Sequence, residues 1–314
     1  MAAILGPHQV IASSDPHEQF AAQLFDELWD VYRGRVAYVQ TYEQLVRSRG
    51  ATFVNDHIAF RTFAAQQPLT GIASLSRLFE VLGYRAAGVY HFEDKHLNAT
   101  HYQHSNPRFP KIFISELRTW ELGAAAATIL KYTRRHRPAM EQALLAELCS
   151  WQGEDGGRRQ DLLQVVRRQF LELPWPVPER RDVEELHRVS QYAAWVLVHG
   201  YNVNHFTSLV NSHGVDSLND LDKTNEALRQ AGVPMKSEME GERGSKLRQT
   251  ATEAVMVDVD VWEDGQPHKM PWSYAYLELA ERNAVVDPVT GQSARFEGFL
   301  GPQATNLFDM TRVR

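Results

Sequence analysis

The chain contains 314 residues, and its content of 43% hydrophobic and 23% charged residues is that of an ordinary globular protein. Its 33 Lys and Arg against 39 Asp and Glu give a formal net charge of −6, which argues against a nucleic-acid partner because such proteins carry a basic face. A single cysteine excludes an internal disulfide, and no stretch approaches the roughly 20 apolar residues of a membrane span.

The first predicted element is an N-terminal helical segment within residues 1–50. The helical pattern begins at Pro16, a favourable residue for a first turn, and runs to about Arg49. Gly50 stands where a helix would end. Apolar residues recur along the segment at three- and four-residue steps, namely Phe20, Leu24, Leu28 and Val31.

Residues 51–119 are predicted to form a β-α-β-β-β module. Its first strand contains His57, its helix ends at Gly83, and its last strand contains Glu116. The predicted strands are 57–63, 84–90, 97–102 and 111–117, and the predicted helix is 72–82. Residues 120–200 then interrupt the pattern with a segment rich in Ala, Leu, Glu, Arg and Gln. We interpret it as a helical insertion that serves as a cap or packing layer.

Residues 201–314 repeat the first module and add a C-terminal tail. The repeat places His205 in its first strand and Glu278 in its last, and the turn-rich tail at 296–302 could fold over the open end of a barrel. The predicted strands are 201–209, 236–240, 246–250, 255–262 and 274–280, and the predicted helix is 218–231. The fold class is therefore α+β, with two βαβββ modules that form a half-barrel within one integrated catalytic domain.

The repeat makes His57, His205 and Glu278 candidates for one metal site. Two imidazoles and a carboxylate with open positions are typical of a non-haem Fe(II) centre, and zinc or manganese could also occupy such a site. Glu116 matches Glu278 by position in its module. It is either a fourth ligand, which would suit an isomerase or lyase, or a buried partner of Arg61 or of a histidine N–H.

Two further side chains are candidates for substrate binding. Arg61 lies four residues beyond His57, so both side chains point to the same face of a strand. Its planar fork suits a carboxylate, as in a 2-oxo acid chelated by the metal, although it could instead pair with a nearby acid. Gln249 lies in a strand of the second module, where an uncharged amide could bind substrate.

Several segments together resemble the DUF1338 family, which is associated with 2-oxoadipate dioxygenase/decarboxylase, or hydroxyglutarate synthase. The matching segments are 55–63, 108–117, 204–207, 244–250, 276–278 and 296–299. The family fold is similar to the vicinal oxygen chelate group. The resemblance implies Fe(II) bound by His57, His205 and Glu278, and a substrate carboxylate held by Arg61.

The implied reaction consumes O₂, releases CO₂ from a 2-oxo acid and yields a 2-hydroxy acid that is one carbon shorter. The expected partners are thus a small-molecule 2-oxo acid and O₂ in a cytoplasmic setting, without nucleic acid or membrane. We expect 2-oxoadipate as the substrate, while another dicarboxylic or aromatic 2-oxo acid stays open, as does the oligomeric state. The alternatives are an oxygen-independent metal-dependent isomerase, lyase or hydrolase, and a non-catalytic binding protein.

Overall fold

The N-terminal segment is helical, as predicted. The structure is a computed structural model, and it describes residues 6–8, 10–65, 70–135, 141–153, 156–301 and 311. Helices α1 (Pro16–Arg35) and α2 (Ala37–Ser48) open the fold. The Asp15 carboxylate accepts the backbone N–H groups of His17 and Glu18, which caps the otherwise unsatisfied start of α1.

The structure differs from the prediction of one helix to about Arg49, because the helix is interrupted between α1 and α2. Val36 leaves the helical region with φ −100° and ψ 86°, and its side chain is fully buried. Its β-branched side chain slightly lowers helix propensity, which is consistent with a turn at this residue. Gly50 follows α2 with φ +67°, a left-handed conformation that glycine adopts without strain.

The first module forms as predicted, and its strands are slightly longer than the sequence pattern indicated. Its elements are β1 (Asn55–Ala64), α3 (Ile72–Val81), β2 (Tyr84–Phe92), β3 (Leu97–His104) and β4 (Lys111–Arg118). Helices follow in the segment 120–200. They are α4 (Ala125–Thr133), α5 (Gln142–Ser150), α6 (Gly156–Leu171), α7 (Arg180–Val189) and α8 (Gln191–His199).

The second module repeats the order but carries an inserted hairpin. Its elements are β5 (Val203–Leu209), α9 (Leu221–Gln230), β6 (Leu247–Ala251), β7 (Met256–Glu263), β8 (Gln266–Ser273) and β9 (Glu278–Arg282). Strands β10 (Ala284–Val286) and β11 (Ser293–Arg295) then pair with each other.

Three strand predictions in the second module need correction. The segment 236–240 forms no strand, and within it only Glu240 makes an isolated bridge, to Gln249. The predicted strand at 255–262 forms, but as β7 it pairs with β8 outside the main sheet. The last strand begins at Glu278 and not at residue 274. Local alternation identifies an extended segment, but it does not determine which strand that segment pairs with.

In the described part of the chain, seven strands form one curled half-barrel sheet in the order β2-β3-β4-β1-β5-β9-β6. Strands β1 and β5 pair antiparallel at its centre, and each is flanked by the parallel last strand of its own module. The two first strands, which carry the predicted histidines, are therefore direct neighbours. The structure confirms the α+β fold built from two related modules.

Alternation along β5 separates a core face from a site face. Phe206 packs against α1, with its ring centroid 5.0 Å from those of Trp29 and Tyr32. Its neighbours His205 and Thr207 consequently point to the opposite face. Burial of each such aromatic side chain contributes about 1.5–3 kcal/mol and holds β5 against the helical layer. Of the helices in the described residues, none has the length and apolar character needed to cross a membrane.

Candidate metal centre

Two β-bulges on the central strand pair shape the surroundings of the predicted histidines. The register between β1 and β5 shifts at Asp56 on one strand and at Asn204 on the other. A bulge interrupts the alternation of side chains, so each bulged residue can turn toward the histidine that follows it. Asp56 Oδ2 lies 2.8 Å from His57 Nδ1, and Asn204 Oδ1 lies 3.0 Å from His205 Nδ1.

Glu278 completes a group of three buried side chains. In the parallel pairing of β9 with β5, Glu278 lies opposite Thr207, two residues beyond His205 and hence on the same face. Glu278 Oε1 lies 3.3 Å from His57 Nε2, and Glu278 Oε2 lies 3.5 Å from His205 Nε2. The two Nε2 atoms lie 3.3 Å apart. The structure thus brings together the three residues that the sequence predicted as ligands.

This donor set fits a divalent metal ion. Among the described residues, His57, His205 and Glu278 form the one group of His, Cys, Asp or Glu side chains that could hold an ion. Ligand atoms bound at about 2.1 Å to one ion lie about 3.0–3.4 Å apart, close to the observed spacing. The buried Glu278 Oε2 also finds no hydrogen-bond partner among the described residues. A cation between the three side chains would satisfy it.

The protonation states of His205 and Glu278 favour the binding of a cation. Burial lowers the pKa of His205 to about 3 despite the attraction of Glu278, so this imidazole is neutral. Burial opposes ionisation of Glu278, but hydrogen bonds from His57 and Gln249 hold the pKa of its carboxyl below its ordinary value. Burial by itself would lower the pKa of His57. Its hydrogen bonds to Asp56 and Glu278 have the larger effect, so the pKa of His57 is raised overall. A metal would compete with the proton on His57 for the Nε2 lone pair.

Behind His57, a buried ion pair fixes Asp56. Arg282 Nε donates to Asp56 Oδ1 at 2.6 Å, and a second guanidinium nitrogen donates to Oδ2 at 2.9 Å. Burial raises the pKa of Asp56, but Arg282 and Lys111 hold it well below its ordinary value. Asp56 is therefore ionised, and it keeps the Nδ1–H of His57 oriented toward itself. The Nε2 atom of His57 then points toward the metal group, by which we mean His57, His205 and Glu278.

The C-terminal tail covers the site, in agreement with the sequence prediction, although Pro302 lies outside the described residues. Arg282 donates to the carbonyl oxygens of Phe296 and Gly298 at 3.2 and 2.6 Å. These bonds place the Phe299 ring 4.8 Å from that of His57. The pocket beside the metal group has an apolar wall formed by Phe92, Phe113, Phe299 and Leu300.

Arg61 and Gln249, the predicted substrate-binding residues, both line this pocket. Arg61 is buried, and its guanidinium donates to Thr311 Oγ1 at 2.8 Å. The amide Nε2 of Gln249 donates to Glu278 Oε1 at 2.9 Å, a contact that the sequence did not predict, and a role of Gln249 in substrate binding stays a prediction. Gln249 thereby orients the carboxylate of the metal group.

Glu116 does not lie in the metal group, so the predicted superposition of the two glutamates is wrong. In the pairing of β4 with β1, Glu116 lies opposite Thr62, five residues beyond His57. In the pairing of β9 with β5, Glu278 lies opposite Thr207, two residues beyond His205. The odd offset turns Glu116 to the other face of the sheet. There its Oε2 accepts the backbone N–H of Ile72 at 2.7 Å, at the start of α3. A carboxylate in this position stabilises the helix N-terminus.

Comparison with known protein families gives a match over most of the chain. A model of the family described as 2-oxoadipate dioxygenase/decarboxylase matches residues 23–308. The chain belongs to this family.

A curated relative and a solved structure support the family assignment over most of the chain. The chloroplastic 2-oxoadipate dioxygenase/decarboxylase of Arabidopsis thaliana is 27% identical over 317 residues, covering 94% of this chain and 78% of the relative. The crystal structure of hydroxyglutarate synthase from Oryza sativa in complex with 2-oxoadipate is 27% identical, with a TM-score of 0.75. That match covers 96% of this chain and 95% of the rice protein.

A further structural neighbour concerns the fold alone. A protein of Ralstonia eutropha JMP134 that is described as belonging to the glyoxalase superfamily is 24% identical, with a TM-score of 0.77 over 91% of this chain and 88% of its own. The curled sheet of paired modules is thus the fold that this 2-oxoadipate dioxygenase/decarboxylase family member shares with glyoxalase-like proteins.

Sequence analysis of this family member missed the polar residues around the metal group. Asp56, Asn204 and Arg282 carry no role in the sequence predictions, although each contacts or supports a residue of the group. One local signal was available, because an Asp or Asn directly precedes both His57 and His205. No local signal identified Arg282, whose partner lies in the other module.

Proposed function

We propose that this protein is an Fe(II)-dependent dioxygenase that decarboxylates a 2-oxo acid, with 2-oxoadipate as the first candidate. In this reaction one O₂ is consumed and one CO₂ is released, and the product is a 2-hydroxy acid with one carbon fewer. The observation that carries the proposal is the buried group of His57, His205 and Glu278 beside a pocket that contains a buried arginine.

Each group of residues in the pocket has a separate role in the proposed reaction. His57, His205 and Glu278 would hold the iron, and bound Fe(II) would supply the site at which the 2-oxo acid and O₂ react. Arg61 binds a substrate carboxylate, since a guanidinium matches that group with paired N–H donors. The apolar wall that includes Phe299 excludes water from the reacting groups and strengthens these charged contacts.

The position of Glu116 favours this reaction over an oxygen-independent isomerase or lyase. Such an enzyme was expected to use Glu116 as a fourth protein ligand, but this side chain caps α3. Three protein ligands would leave open positions on a bound Fe(II) for the 2-oxo acid and for O₂. The relatives' names refer to the same substrate and reaction class.

The test is anaerobic reconstitution with Fe(II), followed by measurement of O₂ uptake with a panel of 2-oxo acids. The panel contains 2-oxoadipate, 2-oxoglutarate, 2-oxohexanoate and phenylpyruvate. We expect uptake with equimolar CO₂ release, and 2-hydroxyglutarate as the product from 2-oxoadipate. Absence of uptake with every panel member, despite bound iron, would contradict the proposal. Conversion of substrate at the same rate without O₂ would contradict it as well.

A further inference from the structure

Asp56 and Asn204 occupy equivalent positions in the two modules. Each is the bulged residue of its strand, and each places an oxygen against Nδ1 of the histidine that follows. A histidine that presents the Nε2 lone pair to a metal carries its proton on Nδ1. The Asn204 atom that faces His205 is therefore the amide oxygen, as an acceptor, and the amide nitrogen of Asn204 points elsewhere.

The remaining polar atoms of these two side chains differ in their partners. Both oxygens of Asp56 accept hydrogen bonds from Arg282. By contrast, Asn204 Nδ2 is buried and donates to no acceptor among the described residues, although the residue is only 2% exposed. Asn204 also lines the pocket beside the metal group. Buried donors are nearly always satisfied, so an unsatisfied donor on a residue that lines a ligand pocket indicates a missing acceptor.

We infer that Asn204 is a substrate-binding residue whose amide N–H donates to a carboxylate oxygen of the 2-oxo acid. The inference rests on the proposed function, because that function supplies an anionic ligand for the pocket. It also explains why the two equivalent positions carry different residues. A carboxylate at position 204 would still accept from His205, but it would add a second negative charge to the pocket that Glu278 also lines and would repel an anionic substrate. The amide keeps the acceptor and adds a donor.

The isosteric substitution Asn204→Asp separates substrate binding from support of His205. It retains the acceptor for the His205 Nδ1–H, and so we expect Fe(II) to bind at least as tightly as in the wild type. It removes the donor and adds a negative charge to the pocket, and both changes should raise the Kd of 2-oxoadipate, measured calorimetrically on the Fe(II)-loaded protein without O₂, by roughly 10- to 100-fold in total. Asn219→Asp introduces the same charge at an exposed site and should leave that Kd unchanged.

Asn204→Ala provides a second variant in case Asn204→Asp fails to fold. It removes the donor, together with the acceptor for His205, without adding a charge. A rise of about 10-fold in the Kd of 2-oxoadipate on the Fe(II)-loaded protein therefore reports loss of the donor apart from charge repulsion. A purely structural role predicts the opposite pattern, in which the unfolding midpoint or Fe(II) affinity changes while the Kd of 2-oxoadipate does not. That pattern in the folded variants would overturn the inference.

Comparison of 2-oxoadipate with 2-oxohexanoate, which lacks the distal carboxylate, locates the contact. An equal loss of affinity for both places Asn204 at the 2-oxo-acid end, and a loss confined to 2-oxoadipate places it at the distal carboxylate. Both results support the inference. If the wild type binds 2-oxoadipate but consumes no O₂, the proposed reaction fails while the binding result still decides the role of Asn204. If the wild type binds neither acid, both proposals fail.

Discussion

Asp56 and Arg282 form a buried, two-point ion pair behind the metal group, although 226 positions separate them in the sequence. Neither side chain is exposed to solvent. Arg282 lies four residues beyond Glu278 on β9. One strand therefore supplies both a residue of the metal group and the cation that fixes the hydrogen-bond partner of His57.

Removal of one charge from this pair should weaken both the fold and the metal site. Asp56→Asn leaves Arg282 buried without its counter-ion, and so the free energy of unfolding of the metal-free protein should fall by about 3–5 kcal/mol. Metal affinity should fall about 10- to 100-fold because His57 loses an anionic hydrogen-bond partner. Urea denaturation and a competitive metal titration measure the two effects.

A double-mutant cycle isolates the interaction between the two side chains. Arg282→Met alone should destabilise the protein to a similar extent, because it leaves Asp56 as an unpaired buried charge. The combination of Asp56→Asn with Arg282→Met should cost less than the sum of the single changes, since no charge remains buried alone. Additive costs would mean that the two residues do not act as a pair.

The two glutamates at similar places in their modules should respond differently to the same substitution. Glu278→Gln removes the negative charge from the metal group, and metal affinity should fall at least about 100-fold, since loss of even a supporting contact costs 10- to 100-fold. Glu116→Gln should retain the metal and lose about 0.3–1 kcal/mol of stability through weaker capping of α3. Metal analysis after gel filtration distinguishes the two variants. Loss of metal from the Glu116→Gln variant would mean that Glu116 is a metal ligand.

Arg61 should contribute to substrate affinity and not to metal binding. Its guanidinium lies 5.0 Å from the ring centroid of Tyr192 and 5.1 Å from that of Trp195, so packing holds the planar group in place. Arg61→Lys keeps the charge but loses the paired donors and this stacking. The KM for 2-oxoadipate should rise about 10-fold or more with unchanged metal content. Arg85→Lys, at an exposed position, is the matched control; an equal KM in both variants would refute this role.

The stability of the protein should depend on pH through His199. Its Nε2–H donates to the carbonyl oxygen of Ser273, and burial lowers its pKa to about 3. The unfolded chain, with a histidine pKa of about 6.5, therefore binds a proton before the folded protein does. The free energy of unfolding should fall as the pH decreases from 6.5 toward 3, by up to about 1.4 kcal/mol per pH unit for this group.

The variant His199→Gln retains an N–H donor for Ser273 and does not titrate. Urea denaturation between pH 7 and pH 4.5 should show a shallower pH dependence for this variant than for the wild type. Other buried histidines contribute equally to both proteins, so the difference reports His199 alone. Parallel curves would show that His199 titrates with an ordinary pKa in the folded protein.

The sequence by itself determined the duplicated architecture, and it predicted the three side chains of the metal group as candidate ligands. Alternating and helical patterns recur in the same order in both halves, and they are local properties that the sequence carries directly. The repeat placed His57 and His205 on first strands and Glu278 on a last strand. Their convergence followed because the first strands of the two modules are neighbours in the sheet.

Strand register and β-bulges decided which side chains surround the metal group. Both depend on contacts between segments that are distant in the sequence. A shift of one residue in register exchanges the two faces of a strand, so Glu116 and Glu278 point to different sides despite their similar surroundings. The bulges at Asp56 and Asn204 exist only in the pairing of β1 with β5. Only the tertiary structure could therefore show that Arg282 fixes Asp56 and that the buried amide N–H of Asn204, a residue of the pocket, has no acceptor among the described residues.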